Sequence, residues 1–183
     1  MKLSDAEKLT VSILCEIHTA LKLNQDGMDS KFISKAIDTG NEWAISYRYG
    51  DFLGFKDTTL PSEVSYVYNI LDMWGFIEEA AEELTQDEKK ELEQKAAPFG
   101  KSLKFPGFDG NNESRYHSIA HFIANETDGF GGRFAKRDLN SHTRRVDVYQ
   151  RMYEHFQPWR DNYPERPLNV DELVMLLNAR NHQ

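Results

Sequence analysis

The sequence predicts an all-α, multihelical protein. Three capping boxes, each a Ser, Thr or Asn followed three residues later by Glu, mark helix starts at Ser4, Thr85 and Asn169. Apolar residues recur at helical spacing behind such starts. No stretch of the sequence alternates with a period of two for long enough to require a strand, and the sequence has no internal repeat.

The first predicted helix begins at the capping box of Ser4 and Glu7 and continues to about Lys22. Its apolar face is formed by Ala6, Leu9, Ile13, Ile17, Ala20 and Leu21. Asp26 and Gly27 should end it, because both residue types favour turns.

One or two short helices are expected in residues 28–49, with an interruption at residues 39–41, and a loop is expected in residues 50–59. Pro61 suits the first position of the next helix, where its missing N–H would be unpaired in any case. The apolar face of that helix is formed by Val64, Val67, Ile70, Leu71 and Trp74. We expect Gly75 to end it.

The second half of the chain continues the helical pattern. A polar helix should run from Thr85 to just before Pro98. Asp109 is well placed to cap the following helix, which should end at about Thr127. Its apolar positions are Tyr116, Ile119, Phe122 and Ile123.

Two further helices complete the prediction. Asn140 or Ser141 should begin the first of them and Pro158 should end it. Its apolar positions are Val146, Tyr149, Met152, Tyr153 and Phe156. The last helix begins at Asn169 and buries Leu173, Leu176 and Leu177.

Length and composition indicate a folded protein. A chain of 183 residues can bury a core as one domain, or as one domain with a small subdomain. No apolar run approaches the roughly 20 residues that span a bilayer, so we expect no membrane partner. Cys15 is the one cysteine, which excludes an intrachain disulfide and a cysteine-cluster zinc site. These features favour a soluble, cytoplasmic protein.

Charge is unevenly distributed along the chain, whose net charge is -8. Residues 78–93 hold eight acidic and two basic side chains, a balance of -6. Residues 133–151 hold six basic and two acidic side chains, a balance of +4. Segments of opposite charge can pair within a subunit or between subunits, and the alternative is that both are ordinary solvated helix faces.

The most distinctive stretch is residues 105–152, which begins F-P-G-F-D-G-N-N-E-S-R-Y. It resembles the YfbU-like family of bacterial proteins through Phe105, Gly107, Phe108, Asp109, Glu113, Arg115, Tyr116, Phe122, Asn140, Thr143, Tyr149, Gln150, Arg151 and Met152. The resemblance implies a helical hairpin joined to a larger helical domain, without implying a particular activity. We therefore expect a single helical unit, residues 1–183, with a subdivision into 1–100, which includes the hairpin, and 101–183, which carries the motif.

Glu113, His117 and His121 are the candidates for metal ligands, at positions i, i+4 and i+8 of one predicted helix. Three such residues span about 12 Å of helix, too far for all of them to reach one ion. We favour a solvated helix face and predict no metal and no cofactor.

The candidates for anion binding are Glu113, Arg115, Arg133, Arg144, Arg145 and Arg151. Free amides at a helix start with arginines beside them can hold phosphate or carboxylate. Residues 129–133 form a glycine-rich segment, but it lacks the Lys-Ser/Thr of a P-loop, and a simple turn is the alternative. Glu113 with Arg115 or Arg151 can also form an ion pair that links two helices, which would make the motif structural.

Three functions are compatible with these features. We expect a self-associating binding or interaction protein with an unidentified protein or small-molecule partner, and charge reversal at Arg144 and Arg145 should weaken an oligomer held by charge. The alternative is an enzyme or ligand-binding protein for phosphorylated or other anionic small molecules. The third is a nucleic-acid-associated regulator, which the acidic net charge disfavours.

Overall fold

Helices dominate the computed structural model, which describes residues 3–23, 27–56, 58–163 and 166–181. These ranges contain eight α-helices and two short 3-10 helices, and no strand, which confirms the all-α, multihelical prediction. No helix in the described ranges has the length and apolar character needed to cross a membrane. The chain divides into two compact units, Met1–Ser65 and Tyr66–Gln183. The subdivision at residue 100 stays a prediction.

The helices follow one another along the chain, and the two longest connections, between α5 and α6 and between α6 and α7, each contain a short 3-10 helix. The α-helices are α1 (Asp5–Ala20), α2 (Ser30–Asp38), α3 (Trp43–Leu53), α4 (Ser62–Glu83), α5 (Gln86–Lys95), α6 (Ser114–Glu126), α7 (Val146–Asn162) and α8 (Val170–Asn178). The 3-10 helices are Phe99–Lys101 and Gly129–Gly132.

All three predicted capping boxes are confirmed. The side chains of Ser4, Thr85 and Asn169 each accept from the backbone N–H three residues on, and the Glu there accepts from the cap residue's own N–H. Each box thus pairs two N–H groups that the helix itself leaves unpaired. The turn predicted at Asp26 lies outside the described residues.

Two helices continue past the residues predicted to end them. Helix α3 includes the first residues of the predicted loop and ends at Leu53, and the following Gly54, with a φ of 66°, is its left-handed C-cap. Helix α4 passes through Gly75 and ends at Glu83. The residues that α4 buries completely include Ile70, Leu71, Met73, Trp74 and Ile77. That packing outweighs the cost of one helical glycine, which is about 1 kcal/mol.

Helix α7 also differs from its prediction at both ends. It begins at Val146 rather than at Asn140 or Ser141, and Pro158 lies inside it. The last turn continues beyond Pro158 because Trp159 is buried there, with its ring centroid 5.6 Å from that of Phe156. Tertiary packing therefore overrides the breaking tendency of proline.

The first unit consists of α1, α2, α3 and the start of α4. Helix α2 packs against both α1 and α3. The core side chains that α2 and α3 contribute to this unit include Phe32, Ile33, Ala36, Ile37, Trp43, Ala44 and Ile45. The indole N–H of Trp43 donates to Asn41 Oδ1 at 2.9 Å, which fixes the turn between α2 and α3.

The core of the second unit is an aromatic cluster around the family motif. Phe108 is fully buried, and its ring lies 5.5 Å from Tyr149 and 5.8 Å from Phe105. The ring of Phe105 in turn lies 5.9 Å from Trp74 of α4 and 5.7 Å from Phe134. The apolar residues of the motif therefore join α4 and α7.

Candidate functional site

At the start of the motif, the backbone around Phe108 is hydrogen-bonded to the backbone of residues 139–141. Phe108 N–H donates to Leu139 O at 2.9 Å, and Ser141 N–H donates to Phe108 O at 3.1 Å. Gly107 has a φ of +87°, and a Cβ at this position would lie 1.7 Å from Leu139 O. Its carbonyl accepts the hydroxyl of Tyr149 at 2.8 Å. Only glycine fits at position 107.

Asp109 holds the turn that follows, rather than capping a helix as the sequence predicts. Its Oδ1 accepts the backbone N–H groups of Asn111 at 2.9 Å and Asn112 at 3.2 Å. The Asn112 side chain donates to Oδ2 at 2.6 Å. The Asn112 side chain first, and then the Asn111 amide, lower the pKa of the Asp109 carboxyl.

Glu113 occupies the N-cap position of α6, yet its buried carboxylate caps α7. Its Oε1 accepts the backbone N–H groups of Arg145 at 2.7 Å and Val146 at 2.8 Å. Its Oε2 accepts Asp109 N–H at 3.1 Å. Glu113 therefore bonds three backbone amides, two of which, those of Arg145 and Val146, lie at the start of α7.

The arginines named by the sequence lie in different environments. Arg151 donates to the carbonyl oxygens of Asp147, Ala179 and Arg180, and so satisfies carbonyls at the end of α8. Arg115 and Arg144 are exposed, whereas Arg145 is half-buried at the start of α7. Anion binding by these residues stays a prediction.

The three metal-ligand candidates, Glu113, His117 and His121, have different contacts. The carboxylate of Glu113 is used by backbone amides, and the rings of His117 and His121 have centroids 6.3 Å apart. Burial, and then the nearby His121, lower the pKa of His117. Within the described residues, no group of three or more His, Cys, Asp or Glu side chains is placed to hold a metal ion.

The basic and acidic segments meet within the chain. Arg137 Nη1 donates to both carboxylate oxygens of Glu78, at 2.9 and 3.0 Å, and its Nη2 donates to Phe105 O at 3.0 Å. Arg133 Nη1 donates to Glu82 at 2.9 Å. The two ion pairs line a cleft of about 580 Å³ together with Lys104, Phe130 and Gly131. Arg133 already has a carboxylate partner in Glu82. Anion binding at residues 129–133 stays a prediction.

Sequence reasoning did not single out Glu78 and Arg137 as partners. Glu78 is 7% exposed and also accepts Phe105 N–H at 2.7 Å, so this pair supports the start of the motif. The available signal was the opposite charge of the two segments, which does not specify which residues pair.

A row of apolar side chains lies exposed on α1. This α1 stripe consists of Leu9, Ile13, Ile17 and Leu21, which are 63, 48, 49 and 63% exposed. Each residue of a helix advances by about 100°, so residues four apart form one row along its side. Ala6 and Ala20 lie on the same face, and Leu14 beside it is also exposed. The apolar face predicted for α1 therefore points to solvent.

The opposite face of α1 packs on its own unit. Cys15 is the buried side chain of α1, and it lies about 160° around the helix from Ile13 and from Ile17. On the same side, Lys8 pairs with Glu42 at 2.6 Å, and His18 Nδ1 lies 3.2 Å from Ser30 Oγ. The stripe thus remains outside after α1 has packed on its unit.

Exposed apolar surface is concentrated in the first unit. Of the twelve large hydrophobic residues that are exposed within the described ranges, ten lie before residue 66. Besides the stripe they are Leu14, Leu23, Tyr47, Phe52, Leu53 and Phe55. The second unit contributes Tyr163 and Met175.

Comparison with known proteins places the chain in a family. A family model described as the YfbU domain matches residues 1–179. The chain is 27% identical over 183 residues to the UPF0304 protein MJECS11 of Methanocaldococcus jannaschii, covering 97% of this chain and 99% of the relative. That relative is archaeal, so these matches do not restrict the family to bacteria. No solved structure matches the chain.

Proposed function

This chain belongs to the YfbU domain family, and we propose that it is a self-associating interaction protein in which α1 of one subunit packs against α1 of a second copy. The observation that carries the proposal is the exposed α1 stripe on the side of the helix opposite Cys15. The contact is two-fold symmetric, so that the same surface is buried on both subunits.

The shape of the stripe suits a second copy of itself. Leu9, Ile13 and Ile17 follow one another at intervals of four residues and form a ridge of similar aliphatic side chains. Ridges of this spacing pack into the matching grooves of an identical helix. The small residues Ala6 and Ala20 allow the two backbones to approach at the ends of the contact.

Burying the stripe carries little desolvation cost. Among the residues of this face, Thr10 is the polar one, and its hydroxyl donates to Ala6 O at 2.8 Å within the helix. Asp5, Glu7 and Glu16 lie at the edges of the face, where they stay in water. A contact without buried unpaired polar groups retains most of its hydrophobic gain.

The size of the contact predicts a modest affinity. Helix α1 has 16 residues and is therefore about 24 Å long. A patch of about 300 to 600 Å² on each copy corresponds to about 600 to 1,200 Å² in total, at or below the lower limit for a specific, stable interface. We expect dissociation in the micromolar range of about 1 to 100 μM, because interfaces of this size form transient complexes.

Charge supports an apolar contact over one held by salt bridges. Arg133 and Arg137 already pair with Glu82 and Glu78 in the same chain. The same pairing reduces the positive surface that a nucleic acid would need. The single cysteine favours the cytoplasm as the location of this complex.

The test measures the mass of the protein in solution from about 1 μM to about 1 mM by sedimentation equilibrium. We expect a concentration-dependent dimer for the unmodified chain and a monomer for the double variant Ile13→Glu, Ile17→Glu. Glutamate is a good helix former, so these exposed substitutions should leave α1 folded.

Met175→Glu is the matched control, because Met175 is 40% exposed and lies in the second unit. It should retain the dimer, and Arg144→Glu should retain it as well. A monomeric unmodified chain throughout the concentration range would refute self-association. A double variant that keeps the dimer would refute the assignment to α1.

A further inference from the structure

The charged cleft, which the ion pairs of Arg133 and Arg137 line, is large enough to hold a small molecule. Its volume is about 580 Å³, within the range of about 300 to 1,000 Å³ that ligand pockets occupy. Its lining residues lie between residues 78 and 137, a stretch that the structure describes throughout. The side chain of Glu82 at its edge is 68% exposed, so the cleft is reached from solvent.

The charge of the cleft favours a ligand with a single negative charge. Of the described side chains that line it, three are cationic and two are anionic, a balance of +1. The cations are Lys104, Arg133 and Arg137, and the anions are Glu78 and Glu82. One carboxylate would balance this charge. A phosphate group carries about -1.5 to -2 near neutral pH, so it would leave an excess of negative charge beside the two glutamates.

Arg133 already shows how a carboxylate binds in the cleft. Its Nη1 donates to Glu82 Oε1 at 2.9 Å. Because the Glu82 carboxylate is largely in water, this pair contributes little to stability, and a ligand carboxylate can replace it. A guanidinium also presents several N–H donors as a planar fork, so one contact leaves others for a ligand. Arg137, by contrast, is held by Glu78 and by Phe105 O, and it fixes the wall of the cleft.

The wall that Phe130 and Gly131 form has an unusual backbone. Phe130 has a φ of 57° and Gly131 a φ of 56°, both in the left-handed region. This conformation is unfavourable for phenylalanine, and the Phe130 ring is held by Tyr68 and Phe134, whose ring centroids lie 6.1 and 5.6 Å away. No atom lies within 4 Å of the Cβ that a side chain at Gly131 would add, so the cleft is open there. Strained residues held by their surroundings cluster at functional sites.

A second hollow, of about 410 Å³, adjoins the charged cleft, because Glu78, Glu82 and Lys104 line both. It lies between α4, α5 and residues 100–104. The hollow has an apolar surface, whose described side chains are the buried Leu92 and the half-buried Ala81 and Leu103. Cationic side chains next to an apolar surface suit a ligand that combines a carboxylate with an apolar group.

We propose that the charged cleft and this hollow bind a small organic monocarboxylate, with its carboxylate on Arg133 and Lys104 and its apolar group in the hollow. The ligand carboxylate takes the place of Glu82 on Arg133. Lys104 is exposed, and its flexible side chain adds a second cation. Sequence reasoning named Arg133 for an anion but missed Lys104, which lies outside the basic segment.

The test uses the full chain and follows the backbone amide signals by ¹H–¹⁵N NMR while sodium hexanoate is added at constant ionic strength. We expect the signals of residues 130–133 to shift and saturate. Acetate should bind at least about tenfold more weakly, because each methylene group buried in the hollow favours binding. Hexylammonium has the same apolar group and the opposite charge, and it should leave these signals unchanged.

Three variants separate the two parts of the site. Arg133→Gln should weaken hexanoate binding at least about tenfold, because a charge-assisted contact is lost. The matched control Lys136→Gln removes an exposed positive charge three residues away that is not among the described residues lining the cleft, and it should leave the affinity unchanged. Leu103→Ser should weaken the binding of hexanoate but not that of acetate, because it changes the apolar hollow alone.

Four results would overturn the proposal. Hexanoate could bind Arg133→Gln and Lys136→Gln with equal affinity, acetate could bind as tightly as hexanoate, or inorganic phosphate could bind more tightly than hexanoate. Signal shifts confined to α1 would overturn it as well, because hexanoate would then cover the α1 stripe instead of entering the cleft. None of the expected results depends on whether α1 forms a dimer.

Discussion

The carboxylate of Glu113 accepts the backbone N–H of Arg145 at 2.7 Å, so the residue that precedes α6 fixes the start of α7 across 32 residues of sequence. Helix α7 has no side-chain cap of its own at Arg145. A charged acceptor at the first turn also interacts favourably with the helix dipole. The family motif thus joins two helices through backbone amides and one buried carboxylate.

Removing this carboxylate should destabilise the fold. For Glu113→Ala we expect a loss of about 3 kcal/mol in the free energy of unfolding, because three backbone donors lose a charged acceptor. Urea denaturation followed by circular dichroism measures it. The control is Glu154→Ala on the exposed surface of α7, which should change the stability by less than about 0.5 kcal/mol. Equal losses in the two variants would show that the capping is unimportant.

The close contact at Gly107 predicts intolerance to any side chain. Gly107→Ala places a Cβ 1.7 Å from Leu139 O, so the paired segments must separate. We expect a loss of more than about 3 kcal/mol, or no folded protein. At Gly131 φ is also positive, at +56°, but no atom lies within 4 Å of the added Cβ. Gly131→Ala should therefore cost only about 1 to 2 kcal/mol, and thermal unfolding distinguishes the two.

The two ion pairs of the charged cleft should differ in strength. Arg137→Ala leaves the buried carboxylate of Glu78 without its arginine partner, and we expect a loss of about 3 to 5 kcal/mol. Arg133→Ala breaks a pair whose carboxylate, on Glu82, is 68% exposed, and this should cost less than about 1 kcal/mol. Chemical denaturation of both variants checks this order. A larger loss for Arg133→Ala would contradict it.

Stability should fall in alkaline solution because of two tyrosines. Burial raises the pKa of Tyr66 and of Tyr149 above the ordinary value of 10.0. Above about pH 10 the unfolded chain therefore loses these protons while the folded protein keeps them, so unfolding becomes more favourable by about 1.4 kcal/mol per pH unit for each tyrosine. Urea unfolding at about pH 8 and about pH 11 measures the fall.

Tyr66→Phe separates this effect from other alkaline changes. The variant loses a hydrogen bond to Val146 O and should be less stable at neutral pH. Its stability should nevertheless fall less steeply with pH than that of the unmodified chain, because one of the two tyrosines is gone. If the free energy of unfolding fell equally steeply with pH in Tyr66→Phe and in the unmodified chain, Tyr66 would not contribute to the alkaline loss of stability.

The predictions that succeeded depend on residues close together in sequence. The capping boxes at Ser4, Thr85 and Asn169 form because each partner lies three residues away. The failures involve distant partners. Glu113 reaches amides more than 30 residues away, and Pro158 is tolerated because Trp159 packs beyond it. Neither arrangement has a local signal.

The candidate sites also depend on features that have no local signal in the sequence. The apolar periodicity of α1 is visible in the sequence, but spacing alone does not say whether such a face points inward or outward. The pairing of Arg137 with Glu78 requires the chain to be folded. The total charges of the two segments do not identify this pair.

The small amount of surface that α1 buries has a consequence for its motion. Cys15 is its one buried side chain, whereas α4 buries many. We expect an element with so few buried side chains to detach at a low free-energy cost, so that its amide hydrogens exchange with solvent before those of α4. A second copy that covers the stripe would slow this detachment as protein concentration rises.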